Sequence, residues 1–181
     1  AGYHLNDPRP NDALEHQALA YAKTANTVIY VIGLTEMFES EGYDRTHLRL
    51  PQNQVQLLEK LVKVNPNVAV VLIGGAPVEM PWLDSVRAVL YAGLGGEQVG
   101  AAVYDLLFGK ENPSGKLAET WPLSLQDVPC AKYYPMGPRA VTHNEGIYVG
   151  YRYYDKAKKE VLFPFGYGLS YTKYTYSALE C

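Results

Sequence analysis

Thr27-Val28-Ile29-Tyr30-Val31-Ile32-Gly33 runs through Leu34 and Thr35 into Glu36-Met37-Phe38-Glu39-Ser40-Glu41-Gly42-Tyr43-Asp44-Arg45-Thr46-His47-Leu48-Arg49-Leu50, and Pro51 follows. The first seven residues are apolar without alternation, which predicts a strand of a parallel sheet covered on both faces. The connection after it gathers Glu36, Glu39, Glu41, Asp44, Arg45, Arg49, Phe38 and Tyr43. Open α/β sheets place their ligand sites at the carboxyl ends of such strands, so this connection is the candidate working surface.

Upstream, residues 1–11 carry Gly2, Pro8, Pro10 and Asn11 with no periodicity and read as an incoming linker. Asn11 or Asp12 then caps a helix whose Ala13, Leu14, Ala18, Leu19 and Ala22 fall near helical spacing. Downstream, Pro51 suits the first turn of a helix, because its missing donor would be unpaired there anyway. Val55, Leu57, Leu58, Leu61 and Val62 mark the buried side of that helix, and Asn65-Pro66 ends it.

A second apolar strand, Val68 to Ile73, meets Gly74-Gly75-Ala76-Pro77. Ala88 to Tyr91 reads as a third strand, Gly93 to Gly96 as a turn, and Glu97 to Phe108 as a helix stopped by Gly109. Helix, strand, loop, helix, strand is the signature of an α/β fold with a mostly parallel sheet and right-handed crossovers. Even with a short extended stretch at Leu117 to Trp121, the strands are few for a complete doubly wound sheet.

Residues 122–144 are loop-like, and residues 145–176 are rich in tyrosine, including Tyr148, Tyr151, Tyr153, Tyr154, Tyr167, Tyr171, Tyr174 and Tyr176. Packing between domains is the favoured reading of these aromatics over a sugar platform, since each offers large area and a polar tip. Leu169 to Tyr176 alternates with period two, as a half-buried strand would, and reads as the first strand of a further domain.

A length of 181 residues fits about one domain. The net charge is −3 with no basic stripe, which excludes the electrostatic footprint of a nucleic-acid binder. Lys156 to Lys159 reads as a solvated turn. No apolar run approaches the ~20 residues that a bilayer span requires, and no signal peptide is legible, so no membrane partner is expected. The compartment stays open, with the cytoplasm placed ahead of secretion. Cys130 and Cys181 read as two ordinary thiols.

Within the connection, a carboxylate desolvated by aromatic neighbours would suit general acid catalysis near neutral pH. Glu41 is the choice, with Gly42 beside it for backbone freedom and Phe38 and Tyr43 as neighbours. Glu39 is its local rival. Asp44 and Arg45 read as an ion pair, or as partners that hold the loop. The competing reading is an acidic loop that is merely solvated.

A glycosidase needs two carboxyls, and Glu79, Asp84, Glu97, Glu119 and Glu145 are scattered singly. Gly74-Gly75-Ala76-Pro77 reads as a tight turn rather than a phosphate cradle, and Gly93-Leu94-Gly95-Gly96 lacks a basic partner. His4, His16, His47 and His143 are isolated, and Ser40 has no G-x-S-x-G context. Neither a cofactor nor a metal is expected.

Several motifs, in order, resemble glycoside hydrolase family 3, specifically the second, α/β-sandwich domain of its β-glucosidases. They are Glu39-Ser40-Glu41-Gly42-Tyr43-Asp44-Arg45, Leu50-Pro51-Gln52-Asn53-Gln54, Pro77-Val78-Glu79-Met80-Pro81-Trp82 and the stretch from Leu107 to Leu117 containing Glu111-Asn112-Pro113-Ser114-Gly115-Lys116. Glu145-Gly146-Ile147-Tyr148-Val149-Gly150-Tyr151-Arg152-Tyr153-Tyr154-Asp155 and Phe163-Pro164-Phe165-Gly166-Tyr167-Gly168-Leu169-Ser170-Tyr171 complete the set. Leu125 to Val141 matches poorly.

The resemblance implies a three-layer sandwich, incomplete at its N-terminal side and followed by a tyrosine-rich interdomain tail, the two together occupying residues 12–162. It implies that residues 163–181 are a connector and the first strand of a fibronectin type III-like domain. It also implies hydrolysis of terminal β-linked sugars, from a β-glucoside or oligosaccharide, with retention through a glycosyl-enzyme intermediate. Glu41 would be the acid/base, Glu39, Tyr43, Asp44 and Arg45 would support the loop or touch substrate, and the aspartate nucleophile would lie on a separate (β/α) barrel domain. On this expectation the chain alone is inactive. The alternative is a non-catalytic α/β binding or scaffold module using the same loop.

Overall fold

The computed structural model describes residues 2–134 and 139–178. Three strands, β1 (Val28–Gly33), β2 (Val68–Ile73) and β3 (Ala88–Gly93), form one parallel sheet in the order β1-β2-β3. Val28 stands opposite Val68 and Gly33 opposite Ile73, while Ala69 pairs with Ala88 and a bulge at Leu72/Ile73 brings Ile73 opposite Gly93. The helices are α1 (Asp12–Thr24), α2 (Gln52–Val64), α3 (Val99–Leu107) and α4 (Tyr151–Ala157).

Local chemistry sets the helix ends. Asn11 caps α1, its side-chain oxygen accepting the Leu14 N–H at 3.0 Å. Asn65 ends α2 and ties it to α1, its Nδ2 donating to the carbonyls of Ala22 (2.9 Å) and Ala25 (2.8 Å). Gly109 at φ +70° ends α3 in a Schellman arrangement, with Gly109 N–H on the Leu106 carbonyl and Lys110 N–H on that of Asp105.

One face of the sheet presents Tyr30, Ile32, Val68, Val70 and Leu72 to Ala22 of α1 and to Leu57, Leu58 and Leu61 of α2. Val78, Met80, Trp82 and Trp121 complete this core. Burying each large apolar side chain contributes roughly 1.5–3 kcal/mol, so this layer holds the sheet.

The expectation that β1 is covered on both faces is corrected. Ile29 and Val31 are 45% and 48% exposed, whereas Val71 on the same face of central β2 is 1% exposed. β1 is also an edge strand, with no further strand beside it among the described residues. Its outer edge is met instead by side chains. The Tyr3 hydroxyl donates to the Val31 carbonyl at 2.9 Å, and burial pushes that phenol up to about 12. Asn53 Nδ2 donates to the Asp7 carbonyl at 2.9 Å, so residues 2–11 lie against the body of the fold.

Helix α4 was not expected; it lies in the tyrosine-rich segment, between Gly150 at φ +59° and Lys158 at φ +50°, and buries Tyr154. The tail beyond it turns back along earlier residues. Trp121 N–H bonds the Phe163 carbonyl and Leu162 N–H the Trp121 carbonyl, each at 2.8 Å, while Leu117 and the pair Gly166/Tyr167 repeat the pattern. Asn112 holds Ser170 and the Tyr171 N–H, and the Tyr171 hydroxyl reaches the Leu106 carbonyl at 2.9 Å. Residues 172–178 are exposed and form no strand among the described residues.

No helix among the described residues is long and apolar enough to cross a membrane. Cys130 is a free thiol, and the expectation for Cys181 lies outside the described residues.

Candidate active-site loop

The chain leaves β1 at Gly33 and makes a tight turn, with the N–H groups of Phe38 and Glu39 both on the Thr35 carbonyl at 2.7 and 2.9 Å. Ser40 and Tyr43 then form an isolated antiparallel bridge, which puts Glu41 and Gly42 at the tip of a four-residue turn. The Ser40 hydroxyl accepts the Gly42 N–H at 3.3 Å. The reversal closes within Ser40-Glu41-Gly42-Tyr43, and it carries Glu41 at an exposed position.

Its neighbours are each committed elsewhere. The Tyr43 hydroxyl donates to the Glu36 carbonyl. Glu39 is half-buried, and its Oε2 accepts the Gly75 N–H at 2.9 Å. Asp44 accepts from the Tyr134 hydroxyl, 3.2 Å from both carboxylate oxygens, and that bond raises the Tyr134 phenol above its ordinary value. Arg45 Nη1 donates to the Pro77 carbonyl at 3.1 Å. Desolvation pulls Arg45 below its ordinary value against the opposing charges of Glu39 and Glu79, and its Nη2 is buried with no acceptor among the described residues. Glu41 is exposed and makes no hydrogen bond among the described residues.

Of the two readings of Asp44 and Arg45, the geometry has the second: they are not paired with each other, and each holds the loop separately, Asp44 through Tyr134 and Arg45 through Pro77. One expectation is corrected here. Phe38 and Tyr43 do not desolvate Glu41, because Phe38 faces His47 with ring centroids 6.5 Å apart and Tyr43 turns back to Glu36. Sequence reasoning missed Gly75, Pro77 and Tyr134 as partners of the loop. The glycine pair at the end of β2 was a usable signal for the first two; Tyr134 lies in the poorly matched stretch and carried none.

A cavity of about 550 Å³ lies between Leu48, Pro77, Glu119, Thr120, Tyr151 and Phe165. Burial raises the Glu119 carboxyl above its ordinary value, and Tyr151 and Phe165 stack at 5.2 Å. No residue from 36 to 45 lines it, so it is separate from Glu41. Among the described residues no three His, Cys, Asp or Glu side chains converge as a metal site would require.

The family model described as "Glycosyl hydrolase family 3 C-terminal domain" matches residues 5–171. The chain belongs to glycosyl hydrolase family 3. This family 3 domain is 48% identical over 179 residues to thermostable beta-glucosidase B of Acetivibrio thermocellus, covering 99% of the chain and 24% of the relative. It is 41% identical over 174 residues to exo-alpha-(1->6)-L-arabinopyranosidase of Bifidobacterium longum, covering 96% and 23%. The solved structure of the Bifidobacterium adolescentis GH3 beta-glucosidase superposes with a TM-score of 0.91 at 42% identity, over 94% of this chain and 25% of that one. The domain thus spans about a quarter of the length of these relatives, and the open parallel sheet with its helices matches their architecture.

Proposed function

We propose that this family 3 domain is the acid/base-bearing part of a retaining β-glycosidase, an exo-acting enzyme of the β-glucosidase kind, with Glu41 as the acid/base. The observation that carries the reading is the loop itself. At the carboxyl end of β1, Glu39, Tyr43, Asp44 and Arg45 are all engaged in holding the loop, while Glu41 is presented at the turn tip without a partner among the described residues.

In a retaining mechanism one carboxylic acid protonates the leaving-group oxygen while a carboxylate attacks the sugar, the two lying roughly 5–5.5 Å apart. The first group then takes a proton from the water that releases the glycosyl-enzyme. Glu41 fits that first group, since it is free to approach another surface. The nucleophile would come from an aspartate on a (β/α) barrel domain of a longer polypeptide. Docking of that domain would also supply the desolvation that Phe38 and Tyr43 do not.

In the same reading, residues 1–11 are an incoming linker, residues 12–162 the partial sandwich with its interdomain tail, and residues 163–181 the connector and first strand of a fibronectin type III-like domain. The substrate is a terminal β-linked sugar of a glucoside or oligosaccharide. Relatives named for β-glucosides and for an arabinopyranoside match this domain at 48% and 41% identity, so its sequence does not name the sugar.

Glu41→Ala in the full-length parent tests the reading. Acid catalysis is needed for an alkoxide leaving group and not for 2,4-dinitrophenolate. The kcat/KM for a methyl β-glycoside is therefore expected to fall roughly 10²–10⁴-fold while that for the dinitrophenyl glycoside holds. Azide should raise kcat on the latter and yield a glycosyl azide of retained configuration. Wild-type kcat/KM on the methyl glycoside would sink the assignment. The 181-residue chain alone is expected to turn over neither substrate.

A further inference from the structure

Two residues before Glu41 stands a second carboxylate whose place in the reaction is open. Glu39 is half-buried at the end of the Thr35 turn, and it reaches across to the loop after β2, where its Oε2 meets the Gly75 N–H at 2.9 Å. β1 and β2 are adjacent strands, so this bond ties together the two loops that leave the same end of the sheet.

The receiving position is shaped for it. A Cβ placed on Gly75 would stand 3.1 Å from Glu39 Oε1 and 3.0 Å from Leu94 Cδ1, tighter than ordinary side-chain contact. Glycine at 75 therefore leaves room for a carboxylate to close on the backbone amide. On the far side of the turn Arg45 donates to Pro77, and Glu79 N–H donates to the Leu48 carbonyl at 2.8 Å. The Ser40–Tyr43 turn is thus held at both feet by the loop after β2, at Gly75 before the tip and at Pro77 after it. Among the described residues the tip, with Glu41, has no such tie.

We propose that Glu39 is a positioning residue, which latches the β1 loop to the Gly75 amide and so aims Glu41 at the glycosidic oxygen. The inference rests on the acid/base reading of Glu41 given above. Glu39 acts here as an acceptor from an N–H, a job that a neutral amide oxygen can also do. A displacement of about 1 Å at a reacting group costs up to ~10²-fold, so releasing one foot of the turn has a measurable effect on rate.

The test uses the full-length parent with the methyl and 2,4-dinitrophenyl β-glycosides. Glu39→Ala should lose roughly ten- to hundredfold in kcat/KM on the methyl glycoside and stay within about threefold of wild type on the dinitrophenyl one. Glu39→Gln, which keeps an oxygen for the Gly75 N–H, should stay close to wild type on both. Gly75→Ala, which crowds only the ends of two flexible side chains, should reproduce the selective loss of Glu39→Ala.

A glutamine variant that falls as far as the alanine variant overturns the proposal, since the proton or charge of Glu39 would then be the active agent. Equal losses on both substrates, or no loss on either, also overturn it. Glu41→Ala separates the two readings. If it is selective and Glu39→Ala is not, only the positioning role fails; if it is not selective, the acid/base assignment fails and takes this role with it.

Discussion

Gln54 is 1% exposed, although it is polar and lies on a helix. Its amide replaces the missing neighbour of β1. Oε1 accepts the Gly33 N–H at 2.9 Å, Nε2 donates to the Gly33 carbonyl at 3.1 Å, and the Gln54 carbonyl takes the Tyr30 hydroxyl at 3.0 Å. Gly33 in turn approaches β2 so closely that a Cβ would fall 2.0 Å from the Ile73 carbonyl oxygen. The residue where the chain turns into the candidate loop is therefore fixed by one side chain. Gln54→Leu keeps the bulk and leaves two buried backbone groups unpaired, at about 1–3 kcal/mol each, so a loss of roughly 2–6 kcal/mol is expected in a denaturant titration. A change below about 0.5 kcal/mol would show that water replaces the amide at no net cost. Such a role was not legible in the sequence, where a glutamine inside a helical repeat reads as solvent-facing. Glu41, by contrast, could be named as a candidate from its own stretch of sequence, and the turn that carries it closes within four residues.

Elements were legible where periodicity carried them and misread where neighbours decided. β1 and β2 are similar apolar strings, yet β2 is closed on both sides and β1 leaves Ile29 and Val31 half in solvent. Strand sequence records what a side chain prefers, and the presence of a covering layer is a property of the rest of the protein. Helix α4 was hidden for another reason: aromatic residues crowd its first turn and suggest strand or loop. Its place is secured from outside by Asp127, which accepts from Lys159 Nζ at 2.9 Å and from the Ser124 hydroxyl at 2.7 Å. Those bonds, Lys159 first, hold the Asp127 carboxyl below its ordinary value and raise Lys159 above its own. A carboxyl lowered in the folded state contributes stability above its unfolded pKa, and that contribution is lost as pH falls through the folded one. Wild type should therefore be more stable than Asp127→Asn at pH 7, and the gap in denaturant midpoint should close as the pH drops below about 4. A gap that persists unchanged at pH 2 would assign the effect to shape rather than charge.

At the scale of the whole molecule, the family and the layer architecture were read from ordered motifs that span nearly the full chain. The contact of Tyr134 with Asp44 was not, because it joins two segments 90 positions apart. The same kind of long-range return governs the tail. Residues 117–121 and 162–167 are bonded backbone to backbone, and Trp121, 2% exposed, sits edge-on between Tyr91 and Phe163. Covalent continuity between them is thus redundant once the chain has folded. Cleavage at a single specific protease site inserted after exposed Lys132 should yield two polypeptides that travel as one species in native gel filtration and part only in denaturant; separation under native conditions would mean the clasp is too weak to act alone. Evolutionarily and practically, the largely exposed stretch from Arg139 to Val149 is then a place where the chain can be opened or lengthened without setting the C-terminal tail adrift.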